Sequence, residues 1–253
     1  ALGLDDAGLI GAGRRPLQAD EMAAIDALVE RRARGESVAH IIGEKEFFGL
    51  NFRLAPGVLA PRPDSETLIE AAILRRDRAA PLRIADLGTG SGCLLCALLT
   101  AFPNAFGLGV DVNTAAVEIA KANARALDVG ARAAFRLAAW TELRGAFDLV
   151  VANPPYIADA DRASLPREVG DFEDERALFG GADGLDAYRS LLDVAPKLAA
   201  SRALIIFELG AGYETAVAAL ARKAFATAAI AADKDLSGRP RALVIDLAGQ
   251  KKD

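Results

Sequence analysis

Phe147-Asp148-Leu149-Val150-Val151-Ala152-Asn153-Pro154-Pro155-Tyr156 decides how this chain is read. Its first six residues form a mostly apolar run, the pattern of a strand buried on both faces of a parallel sheet. Open α/β sheets bind ligands beyond the carboxyl ends of their strands, and the run delivers Asn153 to such an end. Two successive prolines remove two N–H donors and fix two φ angles, which holds their carbonyls in a rigid turn. Asn153 adds a side-chain carbonyl, and Tyr156 adds a flat aromatic wall. Asn153, Pro154, Pro155 and Tyr156 together predict a slot for a planar group bearing an NH2, such as a carboxamide or an amino-substituted base. The competing reading is a plain strand-terminating turn, because Asn and Pro are common turn formers.

Working outward, strand and helix patterns alternate from residue 82 onward. Strands are expected at 82–87, 106–111, 133–137, 147–152 and 203–209, and helices at about 92–101, 114–127, 184–199 and 212–223. Two more strand-like runs, 226–231 and 242–247, flank Gly238-Arg239-Pro240. Such alternation means an α/β fold with a mostly parallel sheet covered by helices on both faces. The polar stretch 157–183 interrupts the pattern and is expected to be irregular. Long loops in compact domains are usually functional or disordered, so its place beside the turn predicts a substrate-facing lid.

Ahead of this region, residues 16–35 carry Met22, Ile25, Leu28 and Val29 at helical spacing and stop at Gly35. Residues 46–54 predict a hairpin turning at Gly49-Leu50-Asn51. A helix over about 65–76 follows, with Asp64 or Ser65 as its cap. The chain opens on Ala1 inside an apparently helical pattern, which suggests natural residues in front of it.

With 253 residues, 52% of them hydrophobic, the chain can bury a large core and hold one large domain plus a small one. A formal net charge of −5 argues against non-specific attraction to phosphate backbones. Its two cysteines, Cys93 and Cys96, suggest no disulfide framework and fit a reducing cytosol. They fall in an apolar helical run and read as small buried thiols rather than a redox pair. His40 is the single histidine and reads as a packing or hydrogen-bonding residue, so ligands for a metal site are lacking. No apolar stretch reaches membrane-spanning length and no secretory signal is visible, which predicts a cytoplasmic protein without membrane attachment.

Asp86-Leu87-Gly88-Thr89-Gly90-Ser91-Gly92 joins the first strand of the alternating region to its first helix. The glycine spacing is shifted from the dinucleotide fingerprint. Glycines there let a ligand approach the backbone without interference from Cβ. The next strand ends in Val110-Asp111, and an acid at that place can accept hydrogen bonds from both ribose hydroxyls. A glycine loop, a ribose acid and the Asn-Pro-Pro-Tyr turn together point to S-adenosylmethionine, whose methionine arm brings no phosphate to cradle.

At this point the residues resemble the HemK/PrmC class of protein-glutamine methyltransferases, which modify peptide chain release factors. The resemblance extends from about Arg32 to Arg241. It is carried by Gly35-Glu36-Ser37-Val38-Ala39-His40-Ile41-Ile42-Gly43, Glu46-Phe47-Phe48-Gly49-Leu50-Asn51-Phe52 and Pro61-Arg62-Pro63-Asp64-Ser65-Glu66. It continues through the glycine loop, the Asn153–Tyr156 turn, Ala177-Leu178-Phe179-Gly180-Gly181-Ala182-Asp183-Gly184-Leu185 and Asp235-Leu236-Ser237-Gly238-Arg239. The Pro61–Asp64 and Gly180–Leu185 segments are the narrow ones.

The resemblance implies a seven-stranded, mostly parallel Rossmann-like methyltransferase sheet, a small helical N-terminal domain and a β-hairpin linker. The expected division is a substrate-recognition domain at 1–43, hairpin and linker helix at 44–80, and the S-adenosylmethionine-dependent domain at 81–250. Implied cofactor residues are Asp86, Gly88, Thr89, Gly90, Gly92, Asp111, Val112, Trp140 and Asn153. Asn153, Pro154 and Tyr156 are the implied catalytic residues; with Pro155 they also hold the substrate, and no metal is expected. The implied substrate is the glutamine of a release factor's Gly-Gly-Gln loop, and the cofactor product is S-adenosylhomocysteine. Three departures stand out, the first being an amino-terminal domain that looks short, consistent with a missing segment. Ala139 occupies a place where relatives often have an acid near the adenine, and Asp174 one where they often have Pro.

Three rivals share the same slot. Methylation of adenine N6 in nucleic acid requires a flipped base and phosphate neutralisation, and the acidic balance disfavours it, so no direct nucleic-acid binding is expected. A ribosomal-protein glutamine methyltransferase is compatible with the slot. A non-catalytic adenosine-binding module is disfavoured by the intact Asn153 and Asp111.

Overall fold

A computed structural model describes residues 2–248. Ala1, and the Gly249 and Gln250 end of the expected 81–250 region, lie outside the described residues. The amino-terminal part comprises α1 (Asp6–Gly11), α2 (Ala19–Ala33) and α3 (Val38–Ile42), then the antiparallel hairpin β1 (Glu44–Phe47) and β2 (Leu50–Arg53). Gln18 and Glu21 form a reciprocal capping box at the start of α2, which satisfies two of its first free N–H groups. Gly35 adopts a φ of 102° just beyond its end, as the reading of a glycine stop requires.

The hairpin turns earlier than expected. Phe47 pairs with Leu50, so Phe48 and Gly49 are the two turn residues, with φ of 52° and 72°. Two positive φ values match a tight turn to the strands' own twist. This register places both Phe47 and Phe52 in the core, ring centroids 6.1 Å apart.

The next helix, α4 (Glu66–Arg75), is entered through a 3-10 turn over Pro63–Ser65. Neither expected cap is used: Ser65 makes no side-chain cap bond, and Asp64 pairs with Arg241 2.8 Å away. Both side chains are drawn instead to the strand ends described below.

The large sheet contains β3 (Arg83–Leu87), β4 (Phe106–Asp111), β5 (Ala133–Leu137), β6 (Phe147–Ala152), β7 (Ala199–Glu208), β8 (Ala229–Lys234) and β9 (Pro240–Asp246). Their order is β5-β4-β3-β6-β7-β9-β8, with β9 antiparallel to both of its neighbours. The intervening helices are α5 (Cys93–Ala101), α6 (Thr114–Ala126), α7 (Arg167–Gly170), α8 (Glu175–Leu178), α9 (Asp186–Leu198) and α10 (Glu214–Ala224). The last two strands begin later and earlier than the apolar runs suggest, because Ala229 must pair with Asp246 across the edge.

Side chains alternate between two cores, as the period of a strand demands. Ile84, Leu149 and Val151 pack with Leu68, Leu95 and Phe102 on one face. Ala85, Val150 and Ile205 pack with Leu191 and Val217 on the other. After β5 the chain returns across the sheet to lay β6 on the far side of β3. The loops leaving β3 and β6 therefore diverge, and the crevice between them is the topological switch point where such sheets bind ligands.

The stretch 157–183 is not irregular. It forms a 3-10 turn over Asp159–Ser164, then α7 and α8, and closes where Ile157 N donates to Leu178 O and Gly180 N to Ile157 O, both at 2.9 Å. Those bonds make it a compact strap with its ends tied together.

Candidate active site

A cavity of about 340 Å3 occupies the crevice. It is walled by Gly88, Thr89, Gly90 and Ser91 after β3, by Asp111 and Val112 after β4, by Trp140, and by Asn153 and Pro155 after β6. Gly90 has a φ of 53°, and a Cβ placed on it would meet nothing within 4 Å, so this backbone faces open space. Gly88 lies against the Trp140 ring, whose Nε1 donates to Ser190 Oγ at 2.8 Å.

Asp111 is held in place by its own loop. Its Oδ2 accepts from Gly90 N at 2.9 Å and its Oδ1 from Asn113 N at 2.8 Å. A carboxylate oxygen has two lone pairs, so each can still accept a ligand hydroxyl. Asp174 joins the strap to the same loop: it caps α8 and accepts from Asn113 Nδ2 at 3.2 Å.

Two of the expected cofactor residues do not reach the wall. Asp86 is fully buried beneath the loop and accepts from Thr89 Oγ1 at 2.6 Å. Burial pushes its carboxyl up to about 7, against the lowering effect of the Thr89 bond. Gly92, with a φ of 79°, opens α5, and a Cβ there would come within 2.9 Å of Ala120 Cβ. Its lack of a side chain serves the packing of α5 on α6. Cys93, expected to be buried, is only half-buried and lines the cavity, while Cys96 is fully buried. Although part of the residue reaches the cavity, its thiol group is desolvated and pushed up to about 12, so it stays protonated at neutral pH. His40 is a hydrogen-bonding residue, with Nδ1 2.9 Å from Ser37 Oγ and Nε2 3.1 Å from Val58 O.

A second cavity of about 110 Å3 adjoins the first and is lined by Asn153, Pro154, Tyr156, Ile157 and Glu208. Asn153 and Arg62 line both. The four-residue turn is thus divided: Pro155 faces the large cavity, Pro154 and Tyr156 face the small one, and Asn153 stands between them.

Behind the small cavity lies a polar cluster that the sequence reading noted only in pieces. Asn153 Nδ2 donates to Ser65 Oγ at 3.1 Å, Ser65 Oγ donates to Glu208 Oε2, and Tyr156 Oη donates to Glu208 Oε1 at 3.3 Å. Glu208 is 1% exposed and Ser65 2%. Arg241, also buried, pairs with Asp64 and lies 3.6 Å from Asp235. Burial pushes Glu208 up to about 7, Ser65, Arg241 and Tyr156 pull it back, and Asp64 pushes it further up. Burial likewise raises the Tyr156 phenol, so it stays protonated and can donate. Ser65, in the segment Pro61–Glu66, and Glu208, at the end of an apolar run, are both visible in the sequence, but nothing in either stretch says that they meet.

The lining fits an adenosine ligand: an acid beside the Gly90 backbone, which is open to the cavity, with the Trp140 ring packed against Gly88 next to it. Among the described residues no group of His, Cys, Asp and Glu is arranged to hold a metal. No helix among them is long and apolar enough to cross a membrane.

Comparison with known proteins follows the same lines. The Methyltransferase small domain family matches residues 50–167, and the PrmC N-terminal domain family matches residues 1–43. The chain is 44% identical to the release factor glutamine methyltransferase of Bradyrhizobium diazoefficiens over 96% of its length and 83% of the relative's. It is 43% identical to the protein of that name from Rhodospirillum rubrum, over 96% of this chain and 74% of that one. Among solved structures, a methyltransferase from Pyrococcus furiosus superposes with a TM-score of 0.58 at 16% identity, covering 86% of this chain and 98% of that one. That likeness bears on the fold alone.

Proposed function

This chain belongs to the release factor glutamine methyltransferase family, and from that premise we propose which residues carry the reaction. The reaction is methyl transfer from S-adenosylmethionine to the side-chain amide nitrogen of the glutamine in a release factor's Gly-Gly-Gln loop. In this reading the large cavity takes the cofactor and the small one takes the glutamine carboxamide. The observation that carries it is Asn153, which lines both cavities and has its Nδ2 engaged by Ser65.

Asp111 accepts the ribose hydroxyls, Gly90 admits the nucleoside against bare backbone, and Trp140, packed on Gly88, forms the wall beside it. When bound, the cofactor supplies an electrophilic methyl on a positively charged sulfur. An amide nitrogen is a weak nucleophile because its lone pair is delocalised into the carbonyl. Asn153 Oδ1 and the Pro154 carbonyl accept its two N–H bonds, which orients the nitrogen and favours the positive charge that develops there. This is positioning combined with preorganised electrostatics. Tyr156 stacks on the flat amide, held by its hydroxyl bond to Glu208. Residues 1–43 and the 157–183 strap supply the surfaces that recognise the rest of the release factor.

The test is mass mapping of methyl groups after incubation with isotopically labelled cofactor. Methylation of the loop glutamine in an intact release factor, abolished when that glutamine is replaced, supports the reading. Methyl groups on adenine, or on a ribosomal protein alone, overturn it.

A further inference from the structure

We propose that Glu208 and Ser65 are positioning residues that decide which end of the Asn153 side chain faces the substrate. The inference rests on the reading of Asn153 as the acceptor for the target amide. A primary carboxamide is nearly symmetric in shape, and its oxygen and nitrogen exchange places on a half-turn about its last bond. In one orientation Asn153 offers the slot an acceptor; in the other it offers a donor, which repels the N–H groups of the substrate. Something must hold the first.

The hydrogen-bond chain does so through the one-way character of each member. An ionised carboxylate can only accept. Both hydroxyls that reach Glu208, those of Ser65 and Tyr156, are therefore donors. A serine hydroxyl has one proton, and once it is spent on Glu208 only lone pairs remain for Asn153. Asn153 must then turn Nδ2 toward Ser65, as observed at 3.1 Å. Oδ1, on the opposite side of the same planar group, is left for the cavities that Asn153 lines. The enclosure matters as well: with Ser65 and Glu208 buried, no bulk water competes to relax the chain.

The same carboxylate sets both sides of the small cavity, since Tyr156 Oη ends on its other oxygen. Groups of five further elements face or surround it: Asp64 on the turn before α4, Cys93 on α5, Tyr156 after β6, Tyr188 on α9 through the Glu208 carbonyl, and Arg241 on β9. The Ser65 bond first, then the Arg241 charge, favour the ionised acid against its burial. If Glu208 is protonated or replaced by an amide, it can donate to Ser65. Ser65 is then free to donate to Asn153 Oδ1, and the wrong orientation becomes available.

Steady-state kinetics of Asn153→Ala, Ser65→Ala, Ser65→Thr and Glu208→Gln on an intact release factor test this, with cofactor affinity measured separately by calorimetry. Ser65→Ala should lower kcat by at least tenfold while cofactor affinity stays within twofold, and Ser65→Thr, which keeps the hydroxyl, should recover most of the loss. Glu208→Gln should lower kcat in the same way. In spectra of 15N-labelled protein, the Asn153 side-chain NH2 pair should be slow to exchange in the parent and fast in Ser65→Ala. A folded Ser65→Ala protein with parental kcat and a still-protected NH2 pair, beside an inactive Asn153→Ala, sinks this inference and leaves the reading of Asn153 standing. A near-normal Asn153→Ala removes both.

Discussion

Arg62 donates from one Nη2 to both carboxylate oxygens of Glu173, at 2.8 and 3.0 Å, and so ties the loop lining both cavities to the strap that covers them. Glu173 is buried, and burial raises its pKa although Arg62 opposes the shift. Removing the cation leaves a buried carboxylate without its charge partner. The Arg62 side chain is 41% exposed, so water replaces part of what is lost. Arg62→Ala is expected to cost about 1–2 kcal/mol, less than a fully buried pair. Hydrogen exchange should quicken within 159–178 before anywhere else in the sheet domain, which exchange mass spectrometry checks.

Asp111→Ala should weaken S-adenosylmethionine binding by about 1–3 kcal/mol, the cost of lost charge-assisted hydrogen bonds. Part of the loss comes from the loop, since Asp111 also holds Gly90 N and Asn113 N. Asp111→Asn keeps one acceptor and should fall between. Calorimetry decides it, and unchanged affinity in folded Asp111→Ala removes the assignment.

Asn153→Ala should leave cofactor affinity near normal and lower turnover by roughly two to three powers of ten, as for loss of a preorganised polar group. Pro154→Ala should be milder, because alanine supplies the same carbonyl. Rates on an intact release factor, set against calorimetric affinity, separate the two effects.

Turnover should rise with pH through about 7 as Glu208 ionises and becomes an acceptor only. The sign follows from burial, which favours the neutral acid at low pH, the form that permits the reversed chain to Asn153. Glu208→Gln should abolish this limb, leaving a low and flat kcat profile over the same range.

Gly210 backs the aromatic wall: a Cβ there would lie 2.7 Å from the Tyr156 ring and 2.8 Å from that of Tyr213. Gly210→Ala is therefore expected to displace the Tyr156 ring, which lines the small cavity, together with that of Tyr213. A raised KM for the release factor with unchanged cofactor affinity is the expected result.

The local pattern of side chains determined a good deal by itself. The runs placed β4, β5 and β6 at their observed bounds; β6 is mostly apolar because it is buried on both faces, whereas β5, at the edge of the sheet, keeps Arg136 exposed. Once the strands are parallel, their carboxyl ends lie at one edge, and Asp111, Gly90 and Asn153 reach one cavity. Hairpin register, helix entry and the strap were less legible, since each depends on what a side chain meets across the fold. Ser65 reads locally as a cap and Glu208 as a strand-end acid, yet they bond to each other across 143 residues of chain. Arg62 and Glu173 pair across 111. No periodicity encodes such pairings; they arise when β7 and the turn before α4 are brought together around the core. The burial that results gives a carboxylate the power to direct two hydroxyls, and that power exists only in the folded chain.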